Sequence, residues 1–215
     1  MENAYVLNKL GVFNYNHVHN PDSSNIDPTS ADDLTAGMIH GRKIAHELAD
    51  YYRKNFPGVH APAVVITGSL LGVRESRRIL GDYYMTGEDY YKQVKHYDDI
   101  GSHSYPVDMH VLASSKEEYD KMINEYLDSR YTDGCYYGIP YRIMLPVGIR
   151  NMYVVGRCVS CDRVMQSSIR VMPACMIMGQ AAGVAASLVN NYNIRDIDII
   201  KLKAKLRDSG VFIGE

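Results

Sequence analysis

The segments Met152-Tyr153-Val154-Val155-Gly156 and Met172-Pro173-Ala174-Cys175-Met176 decide the fold of this chain. The first is a continuous apolar run that ends in glycine, which predicts a strand buried on both faces, as in a parallel α/β sheet. The second opens a stretch rich in alanine and glycine, which predicts a helix over about residues 173–190, with proline well placed in its first turn. Between the two we expect a polar loop that reaches Arg170.

The junction of this strand and helix has the chemistry of a ligand site. Gly156 would let a bulky ligand approach the backbone. The helix that starts near Met172 offers unpaired N–H groups and a positive dipole end, which suit an anion, a phosphate or an electron-rich carbonyl. Arg157 and Arg170 flank the loop and add positive charge. The alternative is a generic helix–strand unit whose small residues serve packing only, and the chain contains no G-x-G-x-x-G.

The remaining elements follow from capping residues and apolar periodicity. A helix is expected after a cap at Thr29 or Ser30, and it ends near Pro57. Ser115 and Glu118 form a capping box that opens a helix of about twelve residues. A last helix is expected over about residues 197–207, with Asp196 as its cap and Gly210 as its stop. Strands are expected at Ala63–Thr67, Val73–Ile79, Ser104–Leu112 and Cys135–Leu145.

These elements divide the chain into three regions. Residues 1–56 form an N-terminal loop and helix, in which residues 1–28 show no clear period. Residues 57–150 form a sheet-rich α+β region. Residues 151–215 form the strand–loop–helix unit and the C-terminal helix.

Charge and hydropathy exclude several classes of partner. The formal net charge of −2 gives no electrostatic reason to expect nucleic acid or an anionic membrane. Residues 171–194 are uncharged and long enough to cross a bilayer, but Ala, Gly, Ser and Gln supply little transfer energy, which favours a buried helix. The N-terminus lacks the pattern of a signal peptide, so we expect a cytoplasmic protein.

Cysteine and histidine give weak indications of a site. Cys158 and Cys161 form one C-x-x-C, but zinc usually needs a second pair, and redox dithiols usually open a helix rather than follow a strand. His17 and His19 lie in a predicted loop, where we expect them to be solvated. We therefore expect no metal site.

Two further clusters leave alternatives open. His103, Asp108 and His110 are candidate metal ligands or a general base, and the alternative is a hydrogen-bonded pair on the sheet. Arg74, with Arg77 and Arg78, could bind an anionic substrate. An equally good interpretation is a surface ion-pair network with acidic neighbours, of which the sequence offers Glu75 and Asp82.

Six blocks of sequence follow one another in the order in which a known family carries them. They are Gly72–Ile79, Tyr105–His110, Tyr137–Arg142, Asn151–Ser160, Ser168–Met176 and Gly179–Gly183. Together they resemble the FAD-dependent oxidoreductases, which are flavoproteins similar to glutathione reductase. The matches run from about residue 26 to the end, and several blocks in one order are more specific than any single motif.

The resemblance implies a fold, a cofactor and a set of site residues. It implies an α/β plus α+β fold, in which a partial Rossmann-like FAD-binding domain adjoins a sheet-rich substrate region. By this resemblance the chain is the C-terminal half of such an enzyme, and the N-terminal glycine-rich segment is missing. His110 and Arg74 are the implied catalytic residues. The implied FAD contacts are Gly156, Arg157, Ser168, Arg170, Met172, Pro173, Ala174 and Gly179.

The implied activity is hydride transfer between an unknown small-molecule substrate and the flavin of FAD. The alternative is a non-catalytic truncated remnant, or a binding subunit that needs a partner chain. The strand at 152–156 is apolar on both faces, so we expect exposed apolar surface over residues 151–190 or association with another chain. That chain would be a separate protein carrying the N-terminal FAD-binding half, or a second copy.

Overall fold

The computed structural model describes residues 4–7, 12–15, 26–57, 62–109 and 115–214. Two compact units divide the chain, Met1–Val73 and Arg74–Glu215, and the predicted three-region division stays a prediction. The described strands are β1 (Ala4–Leu7), β2 (Val12–Tyr15), β3 (Asp99–His103) and β4 (Tyr137–Pro140). The described helices are α1 (Ala31–Asn55), α2 (Gly87–Tyr91), α3 (Lys116–Asp128), α4 (Arg163–Ile169), α5 (Met172–Leu188) and α6 (Ile199–Asp208). Helices and small antiparallel sheets are mixed, which is compatible with an α/β class.

The first unit contains a hairpin and one long helix. Strands β1 and β2 pair antiparallel with Ala4 opposite Tyr15, a hairpin that the sequence did not predict because residues 1–28 show no clear period. Helix α1 begins as predicted, since the Ser30 hydroxyl accepts a hydrogen bond from the Asp33 N–H at 3.3 Å. Gly37 of this helix is buried.

The second unit is built around the antiparallel pair β3 and β4. Helix α5 packs on β3, and Gly101 permits this close approach because a Cβ there would lie 2.4 Å from Ile177. The α5 residues that face the core recur every three or four positions, and α6 packs beside this helix. The fully buried side chains of this core include Ile100, Tyr137, Ile139, Ala174, Met178, Ala181, Ala185, Leu202 and Leu206.

The predicted strand over Met152–Gly156 is wrong. These residues are extended but join no ladder, and one described backbone hydrogen bond ties them to the core, from the Val154 N–H to the Met144 carbonyl at 2.9 Å. A strand exists only through its neighbours, and an apolar run supplies propensity without a partner. Within residues 151–190 the side chains of Met152, Val155 and Met176 are exposed. The expected association with another chain stays a prediction.

The sheet-rich region expected over residues 57–150 is not confirmed. Among described residues of the range 57–150, β3 and β4 are the paired strands, and Ala63–Thr67, Val73–Ile79 and the described part of Ser104–Leu112 are irregular. Val65 is 81% exposed, so its β-branched side chain has no surface against which to form a strand. In Cys135–Leu145 only Tyr137–Pro140 is a strand, and a 3₁₀ turn follows it.

Two predictions about the C-terminal part need correction. The expected polar loop contains α4, because the Asp162 carboxylate caps it by accepting the Met165 N–H at 2.7 Å. The last helix is capped by Asp198 rather than Asp196, and it stops as predicted at Gly210, whose φ is +85°.

The helix of about twelve residues predicted to open at Ser115 and the helix predicted over about residues 173–190 are confirmed as α3 and α5. Ser115 caps α3 by accepting a hydrogen bond from the Glu118 N–H, as the capping box predicted. No single helix of the described residues is long and apolar enough to cross a membrane. Only α4 and α5 taken together reach the required length and hydropathy, and a bend of 88° separates them.

Candidate functional site

The first turn of α5 is open. Val171 occupies the N-cap position and provides no side-chain cap, and Pro173 lies in the first turn without an N–H. The Cys175 N–H is bonded to the Val171 carbonyl at 3.1 Å, and the exposed Met172 has an N–H without an intrahelical acceptor. The predicted contact Ala174 is fully buried in the core and is not at the surface of this helix end. Met172 is 75% exposed. This end of the helix therefore has an N–H donor and a positive dipole end available for an electron-rich group.

Gly156 lies directly against this helix end. Its φ of +78° falls in the left-handed region that favours glycine, and it begins a 3₁₀ turn that ends at Cys158. The Cys175 sulfur lies 3.8 Å from the position that a Cβ on Gly156 would take. The structure thus brings Gly156 and the first turn of α5 together as predicted, but through a tight turn instead of a strand end.

Several effects at this junction shift the pKa of the Cys175 thiol in opposite directions. Burial raises the pKa of the Cys175 thiol, while the nearby positive charge of Arg157 lowers it and the charge of Cys158 raises it further. Arg157 itself is exposed. A cation and the positive end of α5 therefore face the same short stretch of surface, which would stabilise negative charge there.

Arg170, Arg74 and Asp108 form a second group. The half-buried Arg170 side chain donates to the Asp108 carbonyl at 3.0 Å. Its pKa is lowered, first by burial and then by the positive charge of Arg74, and the charge of Asp108 opposes this. Gln166 donates to the Arg74 carbonyl at 2.8 Å, which fixes the Arg74 backbone on α4. Two predicted site residues are thereby brought together.

Ser168 is inside the protein and not at the helix mouth. Its hydroxyl is fully buried, donates to the Tyr105 carbonyl and lies 2.8 Å from the Tyr137 hydroxyl. Gly179 is exposed, and it lies about 10 Å further along the α5 axis than Met172 at a rise of 1.5 Å per residue. The structure does not bring these two predicted contacts to the open end of α5.

The histidine predictions are resolved only in part. His103 lies on β3, and burial lowers the pKa of its imidazole to about 4, so it is neutral at physiological pH. The predicted general base His110 lies outside the described residues, as do His17 and His19. Asp108 is described, but its position relative to His110 therefore stays a prediction. The described residues contain no group of three His, Cys, Asp or Glu able to hold a metal ion.

Each of the two carboxylates proposed to pair with the arginine cluster has a described ion pair with another arginine. Asp82 forms a bidentate pair with Arg195, at 2.6 and 2.9 Å. Glu75 pairs with Arg163 at 3.3 Å. The first contact joins residues that are far apart in the sequence, so residue spacing gave no indication of it.

One buried polar cluster was not predicted from the sequence. The Asp98 carboxylate is 1% exposed and accepts from the Arg142 guanidinium at 3.0 and 3.1 Å and from the Arg142 N–H at 3.1 Å. The same guanidinium lies over the rings of Tyr83 and Tyr97, 5.0 Å from each centroid. Tyr83 also donates to Asp89 at 2.6 Å. Arg142 is the last residue of the block Tyr137–Arg142, which resembles the family but gives no sign of an ion pair.

A cavity of about 240 Å³ lies on another part of the second unit. Its lining includes Ser102, His103, Cys135 and Phe212. None of the predicted FAD contacts lines it. The cavity is therefore separate from the junction of Gly156 and α5.

Comparison with protein-family models matches residues 3–206 to the family described as FAD dependent oxidoreductase. The matched span includes every predicted site residue, from Arg74 to Gly179. Comparison with curated proteins and with solved structures gives no match.

Proposed function

The chain belongs to the FAD-dependent oxidoreductase family, and from that premise we propose that it is the flavin-facing portion of such an enzyme. FAD is the cofactor of this family, and the family points to a flavin-linked redox role. The proposal assigns the open end of α5, with the turn at Gly156, to the flavin ring. It also makes residues 151–215 part of a Rossmann-like FAD-binding domain.

The residues at this junction fit a flavin. The N–H group of the exposed Met172 lacks an intrahelical acceptor, and an electron-rich ring carbonyl is a suitable acceptor for it. Gly156 has no side chain to keep a flat ring away from the backbone. A helix N-terminus stabilises nearby negative charge by about 0.3–1 kcal/mol at exposed sites. Arg157 adds a full positive charge at the same place.

When bound, FAD would supply the redox chemistry of hydride and electron transfer. The side chains of this chain orient the ring, exclude water and stabilise charge. Ser168 serves this arrangement indirectly, because its buried hydroxyl ties α4 to Tyr137 and Tyr105 just before α5 begins. We assign it a positioning role.

The substrate side of the proposal rests on the arginine pair. Two guanidinium groups, from Arg74 and Arg170, lie close enough for the charge of one to lower the pKa of the other, and the charges of Asp108 and Glu75 oppose this effect. We propose that the substrate binds at this group through its own negative charge. The proposed reaction is hydride transfer from a small anionic molecule to the flavin. His110 stays the predicted acid–base residue.

The proposal also includes a second protein surface that packs over the exposed apolar side chains around the site. Val155 precedes the glycine turn, and Met176 follows Met172 by one helical turn, and both are exposed. Apolar side chains exposed around a site support a neighbouring surface, which we assign to a chain carrying the glycine-rich FAD-binding half or to a second copy.

The test is FAD binding by matched variants at one exposed position. Met172→Pro removes one N–H donor and is compatible with the first helical turn and with the extended Val171 before it, whereas Met172→Ala keeps the donor. After incubation with FAD, binding is followed by flavin fluorescence and by the visible flavin spectrum of gel-filtered protein. Loss of one hydrogen bond of about 1 kcal/mol predicts roughly fivefold weaker binding for the proline variant alone.

Circular dichroism of both variants verifies that the helix is kept. Equal affinity of the two variants would remove the helix end from the binding site. No flavin retained by the parent protein, either alone or mixed with a candidate partner chain, would contradict the proposal as a whole.

A further inference from the structure

Gln166 is a polar side chain inside the protein, and both ends of its amide have partners. It lies in α4 and is fully buried. Its Nε2 donates to the Arg74 carbonyl at 2.8 Å, and its Oε1 accepts from the Arg170 Nη1 at 3.5 Å. Reversing the amide would set its NH₂ group against the guanidinium and its oxygen against the carbonyl. The two partners therefore determine which way the amide points.

The Arg170 guanidinium is held by neutral oxygens. Besides Gln166 Oε1, the Asp108 carbonyl accepts from its Nη2 at 3.0 Å. Neither acceptor carries a charge, so these two hydrogen bonds orient the guanidinium without neutralising it. The carboxylates of Asp108 and Glu75 also act on Arg170 through their charge, and Glu75 is paired with Arg163.

The Gln166 amide joins two parts of the chain that are far apart in the sequence. Arg74 precedes Gln166 by 92 positions, whereas Arg170 follows it by one helical turn at the C-terminal cap of α4. The amide therefore fixes the Arg74 backbone beside the helix face that carries Arg170. Because Gln166 is fully buried, a ligand at the protein surface does not reach it. Its effect on a ligand must pass through the two arginines.

We propose that Gln166 is a positioning residue for the arginine group at which the substrate binds. The inference rests on the proposed function, which places the negative charge of the substrate at Arg74 and Arg170. It adds a requirement for an uncharged amide at position 166. A carboxylate there would pair with the Arg170 guanidinium itself and would repel the Arg74 carbonyl. Binding of an anion thus depends on a buried side chain that contacts neither substrate nor flavin.

Substitutions of similar size separate charge from packing. Gln166→Glu keeps the length of the side chain but adds a negative charge and removes the donor to the Arg74 carbonyl. Gln166→Met keeps the length and removes both hydrogen bonds without adding charge. Ser167→Ala is the matched control, because Ser167 is also buried in α4 but its hydroxyl donates to the Val164 carbonyl within the helix.

The probe is sulfate, a divalent anion whose charge is constant around neutral pH. The full-length protein is titrated with sulfate at low ionic strength, and the Nε–H resonances of Arg74 and Arg170 are followed by heteronuclear NMR. Spectra of Arg74→Lys and Arg170→Lys provide the assignments. We expect equal dissociation constants for the parent and Ser167→Ala. We expect roughly threefold to fivefold weaker binding for Gln166→Met and roughly tenfold or weaker binding for Gln166→Glu.

Urea unfolding of each variant separates a positioning role from a structural one. A structural role would lower the free energy of unfolding and leave the sulfate dissociation constant of every folded variant equal to that of the parent. That result overturns the inference and leaves the proposed function intact. If Gln166→Glu does not fold, Gln166→Met decides alone, because it buries no charge. Unchanged Arg74 and Arg170 resonances in the parent would remove the anion site, and with it both the inference and the substrate side of the proposed function.

Discussion

Two buried titratable groups of the sheet should give opposite pH dependences that nearly cancel. Burial raises the pKa of Asp99 from its usual value of 3.8 to about 6, and the hydrogen bond from the His96 N–H opposes this. Burial lowers the pKa of His103 from 6.5 to about 4. Both residues lie on β3, where one Asp99 oxygen and the His103 Nε2 are buried without a described hydrogen-bond partner.

The sign follows from which state binds more protons. Between about pH 4 and pH 6 the folded protein holds a proton on Asp99 that the unfolded chain has lost, so the free energy of unfolding falls as the pH rises. For His103 the unfolded chain holds the extra proton between pH 6.5 and about pH 4, so the free energy of unfolding falls as the pH falls. At about 1.4 kcal/mol per pKa unit, each effect amounts to roughly 3 kcal/mol.

Single substitutions should separate the two effects. Asp99→Asn leaves the His103 dependence, so this variant should lose about 3 kcal/mol relative to the parent between pH 6 and pH 4. His103→Gln leaves the Asp99 dependence, so relative to the parent it should gain a similar amount over the same interval. Urea unfolding followed by circular dichroism at several pH values measures both differences, and a constant offset caused by repacking does not affect the slope. Parallel curves for the parent and both variants would refute the assignment.

Two other predictions concern the missed cluster and the glycine turn. Arg142→Ala should lower the free energy of unfolding by about 3–5 kcal/mol, because it leaves the Asp98 carboxylate, which is 1% exposed, without its cation. Asp98→Asn should lower it by less, because the Arg142 side chain is 29% exposed and can be hydrated. Denaturant titrations of the two variants test this order, and a larger cost for Asp98→Asn would contradict it. Gly156→Ala should cost about 1–3 kcal/mol through the strain of a positive φ and not through a clash, because a Cβ there meets only the Cys175 sulfur at 3.8 Å. Thermal unfolding measures this cost, and a control Gly179→Ala, on an open helix face, should be neutral or stabilising.

Features determined by a few adjacent residues could be predicted from the sequence. Ser30 and Ser115 cap α1 and α3 as their spacing indicated, and Gly210 ends α6 with the positive φ expected of it. Pro173 was likewise found in the first turn of α5, where it was expected. Each of these features depends on hydrogen bonds within about four residues, which sequence patterns record.

Features that depend on distant partners could not be predicted. The run at Met152–Gly156 has the composition of a buried strand, but among the described residues no ladder forms along it. The Asp98–Arg142 pair joins residues 44 positions apart, and nothing in the sequence near either residue indicates which residue it pairs with. The N-cap of α6 was predicted at Asp196 but lies at Asp198. Aspartate is a good N-cap at either position, so only the backbone conformation shows at which of the two the helix begins.

The predicted FAD contacts divide into two physical kinds, and this division limits what a sequence block can identify. Gly156, Arg157 and Met172 present backbone or charge at the surface, where a ligand can reach them. Ser168 is buried and Arg170 half-buried, and their hydrogen bonds hold α4 and the start of α5 against the core. A helix end can bind a flavin only if its direction is fixed, so both kinds are needed for one site. Substitutions of the first kind should therefore weaken FAD binding without lowering the free energy of unfolding, except at Gly156, and those of the second kind should change both.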